Sequence, residues 1–357
     1  MYLHLGWDMR YPFSAKKWSI DEWDKWLTLL KEHGLKRLML WPGFEFFDET
    51  LDKETDDWLE VLADIIKKCK LKSIEVYLGR SPNGYIESSS KKIGKRNQHD
   101  LTYCDPCSEK YLDKILIPQE RILKRLPTID GWWVIDSDPA DAMDLDENHF
   151  AKCFEHYRSI LPVETSLVYW MWGGWTNLKS QEKDWRTHEQ TFWKIAAEKI
   201  IEIEPQVEFL CCWSGHGKSL RNIDNKKTYF PYHKLEPEPS IPFIYHPDEI
   251  DNSESWSEIK NSDIILNMQT PCLRTSRLLE YLTQGCFSNQ QTEIETIADN
   301  WCWNEQSLLD LRLNLNDLGQ NEVYESMSSE AINRWKNYIQ MDDVVKRGYL
   351  VDVDASK

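Results

Sequence analysis

Along most of the chain, short apolar runs alternate with longer segments of helical periodicity. Apolar runs bounded by turn residues predict buried strands; apolar residues recurring three and four apart predict helices. The first run, YLHLGWDM (2–9), is followed by the helical SIDEWDKWLTLLKEHG (19–34), with Ser19 as N-cap and Trp23, Trp26, Leu27 and Leu30 on one face. Strand two is LKRLMLWP (35–42), helix two DKETDDWLEVLADIIKKCK (52–70) and strand three KSIEVYLGRSP (72–82). A polar loop (83–100) leads to a third helix, CSEKYLDKILIPQERILKRLP (107–127), bent at Pro118 because proline lacks the N–H and crowds the preceding turn. Strand four is GWWVI with its end, DSDPADA (131–142), and helix four is ENHFAKCFEHYRSILP (147–162). The fifth pair is TSLVYWMWGG (165–174) and EQTFWKIAAEKIIEIEP (189–205). VEFLCCWSGHG (207–217) is strand six with its loop, IPFIYHPDE (241–249) strand seven and SDIILNMQTP (262–271) strand eight, before helix eight at 275–286. Amphipathic helices fall near 305–318 and 328–347.

Strands alternating with helices predict an α/β fold with a parallel sheet, and eight such units predict a (β/α)8 TIM barrel. The expected organisation is a catalytic barrel over 1–290 and a C-terminal helical appendage over 291–357. There is no Gly-rich dinucleotide fingerprint or P-loop, and glycine is only 14 of 357 residues, which disfavours a nucleotide-binding doubly wound sheet.

Charge narrows the partners. The net charge of −17, from 43 basic and 60 acidic side chains, argues against nucleic acid and anionic membrane, which need a basic footprint. No run approaches the roughly 18 apolar residues of a membrane span. No signal peptide is visible before the first strand, so a cytoplasmic location is expected, or a secreted or periplasmic one if the start has been trimmed. The nine cysteines are odd in number and scattered, and Cys211 and Cys212 lie in an apolar run, so they are expected to be reduced core residues. CDPC (Cys104, Cys107) has metal or redox spacing but no second pair, and is expected to be a turn leading into a helix.

In such barrels the site lies at the C-terminal ends of the strands. Those ends carry Trp7, Asp8 and Arg10; Trp41, Phe44 and Glu45; Tyr77 and Arg80; Asp136 and Asp138; Trp170, Trp172 and Trp175; Trp213, Ser214 and His216; Tyr245, His246, Asp248 and Glu249; and Asn267 and Gln269. Tryptophan, carboxylate and amide recur around one rim, in a chain with 18 tryptophans. Sugars offer C–H faces that stack on aromatic rings and hydroxyl edges that pair with carboxylates and amides, so an oligosaccharide or glycoside is the expected partner. The single-residue alternative is that each tryptophan caps the core.

Asp136 and Asp138 stand out. Residues at i and i+2 of a strand share a face, with Cα atoms roughly 6.6 Å apart. Two close carboxylates repel, which raises one pKa and suits it to protonate a glycosidic oxygen while the other stays ionised. The alternative is that one pairs with Arg80 or caps the next helix.

YCDPCSEKYLDKIL (103–116) and GWWVIDSDPADA (131–142) together resemble the catalytic barrels of glycoside hydrolases in the β-hexosaminidase and α-glucuronidase neighbourhood. The resemblance implies Asp138 as the acid and Asp136 as its partner. Here the pair is Asp-Ser-Asp rather than an adjacent Asp-Glu, and the glycines expected after it are missing. The expected function is therefore a glycoside hydrolase, with Asp138 and Asp136 catalytic. Trp7, Asp8, Trp41, Glu45, Arg80, Trp170, Trp172, Trp213, His216, His246, Asp248 and Gln269 would bind substrate, with no metal or cofactor. Two rivals remain: a catalytically silent carbohydrate-binding barrel, and a metal-dependent hydrolase using His216 and His246.

Overall fold

The computed structural model describes residues 1–5, 15–32, 34–47, 53–87, 101–136, 145–172, 185–212, 214–230 and 263–265. The strands are β1 (Tyr2–His4), β2 (Arg37–Trp41), β3 (Glu75–Arg80), β4 (Gly84–Tyr85), β5 (Thr102–Tyr103), β6 (Gly131–Ile135), β7 (Ser166–Met171), β8 (Glu208–Cys211), β9 (Lys227–Tyr229) and β10 (Asp263–Ile264). The helices are α1 (Ile20–Glu32), α2 (Lys53–Leu71), α3 (Glu109–Tyr111), α4 (Ile117–Leu123), α5 (Glu147–Ile160), α6 (Trp185–Ile203) and α7 (Ser214–Ser219). Eight strands make one sheet in the order β1-β2-β3-β6-β7-β8-β9-β10, and every neighbouring pair is parallel. β4 and β5 form a separate antiparallel pair.

The chain divides into two compact units. One comprises Met1–Asp8, Lys36–Tyr232 and Glu254–Leu266, and holds the sheet. The other comprises Met9–Leu35, His233–Ser253 and Asn267–Lys357. In the second unit α1 begins with the expected cap: the Glu22 carboxylate accepts from the Ser19 N–H at 2.8 Å and Oγ at 2.9 Å, and the Glu22 N–H donates back to Ser19 Oγ at 3.3 Å. Trp18, Trp23 and Trp26 pack edge to face around this start, with ring centroids 5.6–5.8 Å apart.

The sheet is buried on both sides, as its near-continuous apolar strands predict. One face carries Tyr2, Met39, Trp41, Tyr77, Trp133, Ile135, Val168, Trp170 and Leu210, continued by Cys212, Phe230 and Ile265 just past the strand ends. These residues alternate with an opposite set, among them Trp132 and Tyr169, which pack on the α5 rings of Tyr157 and Phe150. The first face is concave. Tyr2, on the first strand of the sheet, meets Trp170 on the fifth at 4.9 Å between centroids and Phe230, beside the seventh, at 5.5 Å. At the N-terminal end of the same face, Arg37 Nη1 donates to Glu208 Oε1 at 2.6 Å, joining the second strand to the sixth. Thr228 Oγ1 donates to the same oxygen at 2.6 Å, and the Arg37 guanidinium lies 3.9 Å from the centre of the Tyr77 ring.

Two glycines make this interior possible. Gly131 pairs with Tyr77, and a Cβ on it would lie 2.1 Å from the Tyr77 ring. Gly79 pairs with Trp133, and its Cβ would lie 2.1 Å from the indole.

Three expectations change. The seventh strand of the sheet is Lys227–Tyr229, a three-residue element with lysine at its start that gave too little apolar pattern to detect; 241–249 lies outside the described residues, as do 275–286, 305–318 and 328–347. SGHG begins α7 rather than a loop. The bend at Pro118 takes the form of a π-helical turn, Leu112–Leu116, which joins α3 to α4 without a break and accommodates the missing N–H.

Gly131→Ala is expected to lower stability by about 1–3 kcal/mol, the usual cost of overpacking a filled core. A thermal midpoint equal to wild type would show that the Tyr77 ring has room to move.

Candidate functional site

The C-terminal ends of β2, β3, β6 and β8 each lead to a polar group the sequence singles out, and the structure gives these groups a common character. They are buried ties between neighbouring elements.

Gly43, at φ 76°, turns the chain after β2 into a short 3-10 helix, Phe44–Phe46. This places the Glu45 carboxylate, 1% exposed, back under β2. It accepts from Trp41 Nε1 at 3.1 and 3.2 Å and from the Ser81 N–H. Glu45 thus ties the end of β2 to the end of β3. Arg80, 3% exposed, donates to Gln119 Oε1 of α4 at 3.2 Å and to the Gly84 carbonyl of β4.

Asp136 follows β6 directly. Ile135 belongs to the concave core, so strand alternation turns Asp136 toward the helices. Its carboxylate is 0% exposed and accepts from Tyr169 Oη of β7 at 3.2 Å, Trp193 Nε1 of α6 at 3.0 Å and the Trp172 N–H at 3.0 Å. Burial, and next the charge of Asp136, hold the Tyr169 phenol protonated well above its ordinary range, so it remains a donor. His216 sits in α7 beside Trp193, ring centroids 4.0 Å apart, and its Nδ1 accepts from the Cys212 N–H at 3.2 Å. Asp136, Trp193, His216 and Cys212 therefore form one chain of contacts linking β6, α6, α7 and the end of β8.

The tryptophans separate into two kinds. Trp41 and Trp170 lie inside the concave core, 4% and 1% exposed, with centroids 6.2 Å apart. Their shared neighbour Trp133 is as deeply buried. Capping the core is what these rings do. Trp172 is different: it is half-buried at the margin of the cluster, 6.2 Å from the Trp170 ring and 6.4 Å from Phe230. His4 was missed in the sequence; the period-2 repeat of Tyr2 and His4 could have placed it on the inner face. Its ring is tilted on Trp41 at 4.8 Å. Trp7, Asp8, Asp138, Trp213, His246, Asp248 and Gln269 lie outside the described residues.

The structure thus brings Trp41, Trp170 and Trp172 together in one cluster, and separately joins Asp136 to Trp172 through the backbone. Glu45 joins that cluster through the Trp41 indole, His216 joins Asp136 through Trp193, and Arg80 is tied instead to Gln119 and Gly84. His216 is wholly buried with Nδ1 engaged, which removes it as a ready ligand for a metal shared with His246. No described helix is long and apolar enough to cross a membrane.

Comparison with known proteins yields no matching family profile and no matching curated protein. Among solved structures the chain is similar to a GH138 enzyme targeting pectin rhamnogalacturonan II, with 11% identity over 82% of this chain and TM-score 0.50; the match spans 49% of that enzyme, about half its length. It is also similar to a variant of the O-GlcNAc hydrolase of Thermobaculum terrenum (10% identity, 99% of this chain and 75% of the other, TM-score 0.48). The endo-1,4-beta-mannanase of Rhizomucor miehei matches at 14% identity over 73% of this chain and 85% of the other, with TM-score 0.45. At these identities the likeness is one of fold: the curled parallel sheet and its helices form an α/β fold of the kind glycoside hydrolases use.

Burial lowers the pKa of His4 and of His216 to about 3, the Met171 backbone offsetting part of the effect for His216. Both are neutral in the folded chain, whereas unfolded histidines protonate near pH ~6.5. The unfolded state therefore binds the extra protons between these values. Stability from this source is full above about 6.5 and falls by about 1.4 kcal/mol per pH unit per histidine as the pH drops toward 3. Proton NMR should show that the His4 and His216 rings do not titrate between about pH 5 and 8. Ordinary titration of both would mean that neither ring is buried as described.

Proposed function

We propose that the protein is a glycoside hydrolase built on a (β/α)8 TIM barrel and acting on an oligosaccharide or glycoside at the C-terminal ends of the strands. The observation that carries this is the half-buried Trp172 at the margin of an aromatic core, its peptide N–H held by the buried Asp136 carboxylate. A flat ring presented at the C-terminal end of a parallel sheet suits the C–H face of a sugar. The fold likeness to glycoside hydrolases supports the same reading.

The two aspartates divide the work. Asp136 is a positioning residue: its donors come from β7, α6 and the Trp172 backbone, and it has no exposed surface. Asp138 is the general acid, two residues further and so within about 7 Å of Asp136 along the chain. It protonates the departing glycosidic oxygen; glycoside hydrolysis also requires a second carboxylate. Trp7, Asp8 and Trp213 contact the sugar. Glu45, Arg80, Trp41, Trp170 and His216 serve as the frame behind the site rather than as substrate contacts.

Three variants separate these roles. Asp138→Asn should lower kcat by about 10²–10⁴-fold on a glycoside with a poor leaving group, and far less on an activated aryl glycoside that departs without protonation. Equal small effects on both substrates would remove Asp138 as the acid. Trp172→Ala should weaken sugar binding at nearly unchanged melting temperature; a large stability loss at unchanged affinity would make it a core residue. Asp136→Asn should cost about 1–3 kcal/mol of stability through an unsatisfied buried donor, and raise KM on both substrates alike. A kcat loss confined to poor leaving groups would assign the acid to Asp136 instead. Binding that depends on Trp172, with no turnover across a glycoside panel, would favour the silent carbohydrate-binding barrel.

A further inference from the structure

We propose that Asp105, Cys107 and His149 form a binding site for a divalent transition metal of the zinc type, separate from the sugar site. One ligand atom from each, a carboxylate oxygen, a thiol sulfur and an imidazole nitrogen, lies within 4.8 Å of the other two. Donors sharing one tetrahedral zinc ion, at roughly 2.0–2.3 Å from it, lie about 3.3–3.8 Å apart, so rotating exposed side chains is enough to close the set.

The three residues come from two parts of the chain, the CDPC turn and the first turn of α5, which hydrogen bonds hold in place and His156 of α5 joins. The CDPC turn is held by Cys104 N–H donating to the Asn83 carbonyl at 3.2 Å, by Cys107 N–H donating to Asp105 Oδ1 at 2.7 Å, and by His156 Nε2 donating to the Pro106 carbonyl at 2.8 Å. His149 stands in the first turn of α5, which Asp146 caps by accepting from the Asn148 and His149 N–H groups, each at 2.9 Å.

The orientation of His149 favours a metal over a simple turn. Its Nδ1 lies 2.7 Å from Asp146 Oδ1, and its Nε2 lies 3.6 Å from Asp105 Oδ1. With Nδ1–H donated to one carboxylate, the Nε2 lone pair points at the other two ligands. A carboxylate behind the imidazole is how metal-binding histidines are commonly oriented and made more basic. An imidazolium bridging two aspartates would need no sulfur, yet Cys107 completes the set and is the exposed cysteine among the described residues. On binding, the thiol proton passes to solvent as the sulfur–metal bond forms. The resulting thiolate and the Asp105 carboxylate neutralise the 2+ charge. Solvent supplies the fourth ligand, and the metal staples the turn before α3 to the start of α5.

The spacing that the sequence offered, Cys104 and Cys107, misdirects attention. Cys104 is buried, its sulfur 3.9 Å from the Asn83 carbonyl, and the partner of Cys107 is a histidine on α5.

Titration of the metal-free full-length protein with cobalt(II) tests the proposal. Wild type should bind saturably and develop thiolate-to-cobalt charge-transfer absorption with the d–d bands of a four-coordinate ion, and zinc should displace it. Zinc should also raise the melting temperature. Cys107→Ser and His149→Gln should abolish the charge-transfer and the four-coordinate bands respectively. Asp146→Asn keeps a good N-cap and so should leave the metal-free melting temperature unchanged while weakening cobalt binding about 10–100-fold. Three results overturn the proposal: no saturable binding by wild type, charge-transfer that survives Cys107→Ser, or wild-type affinity in Asp146→Asn.

Discussion

The structure depends on filling the concave face of one parallel sheet. Eight strands can curl until the first touches the neighbourhood of the seventh only if their inward side chains fill the enclosed space without colliding. Here the filling is aromatic: Tyr2, Trp41, Tyr77, Trp133, Trp170 and Phe230, meeting mostly edge to face. Large rings fill volume with few side chains, but they demand empty space opposite. Gly79 and Gly131 provide it where Trp133 and Tyr77 need it. The N-terminal end of the same space is closed by Arg37 and Glu208, whose charges answer one another across the sheet.

Above this core the polar residues form a scaffold. Parallel strands end in loops whose backbone groups have no ladder partner, and buried carboxylates are efficient acceptors for them. Glu45 takes the Ser81 N–H, and Asp136 takes that of Trp172. Each carboxylate also accepts an indole N–H, so the tryptophan-rich composition and the buried acids are two sides of one solution. Such ties fix where each strand end points, and so where the segment beyond it starts.

Much of the fold was legible because its signals are local and repeated. Helical periodicity located α1, α2, α5 and α6 to within a few residues, and Ser19 caps α1 as its spacing with Glu22 suggests. β9 was not legible: three residues carry no period, and their place comes from pairing with β8 and β10. The site was harder. Trp41, Trp170 and Trp172 read alike in sequence, and only the curl of the sheet separates the buried two from the one at the margin. The carboxylate pair left a related ambiguity. Strand periodicity does assign Asp136 a face, but nothing in the sequence says which face is the mouth and which the helix side; Ile135 in the core decides it.

The paired fit of Gly131 with Tyr77 and Gly79 with Trp133 has an evolutionary consequence. A larger residue at either glycine costs less once the facing ring has shrunk, which couples changes at the two positions. A core built from such matched pairs drifts in coordinated steps, through many combinations of equal total volume. Chains of quite different sequence can thus share the curl of one sheet.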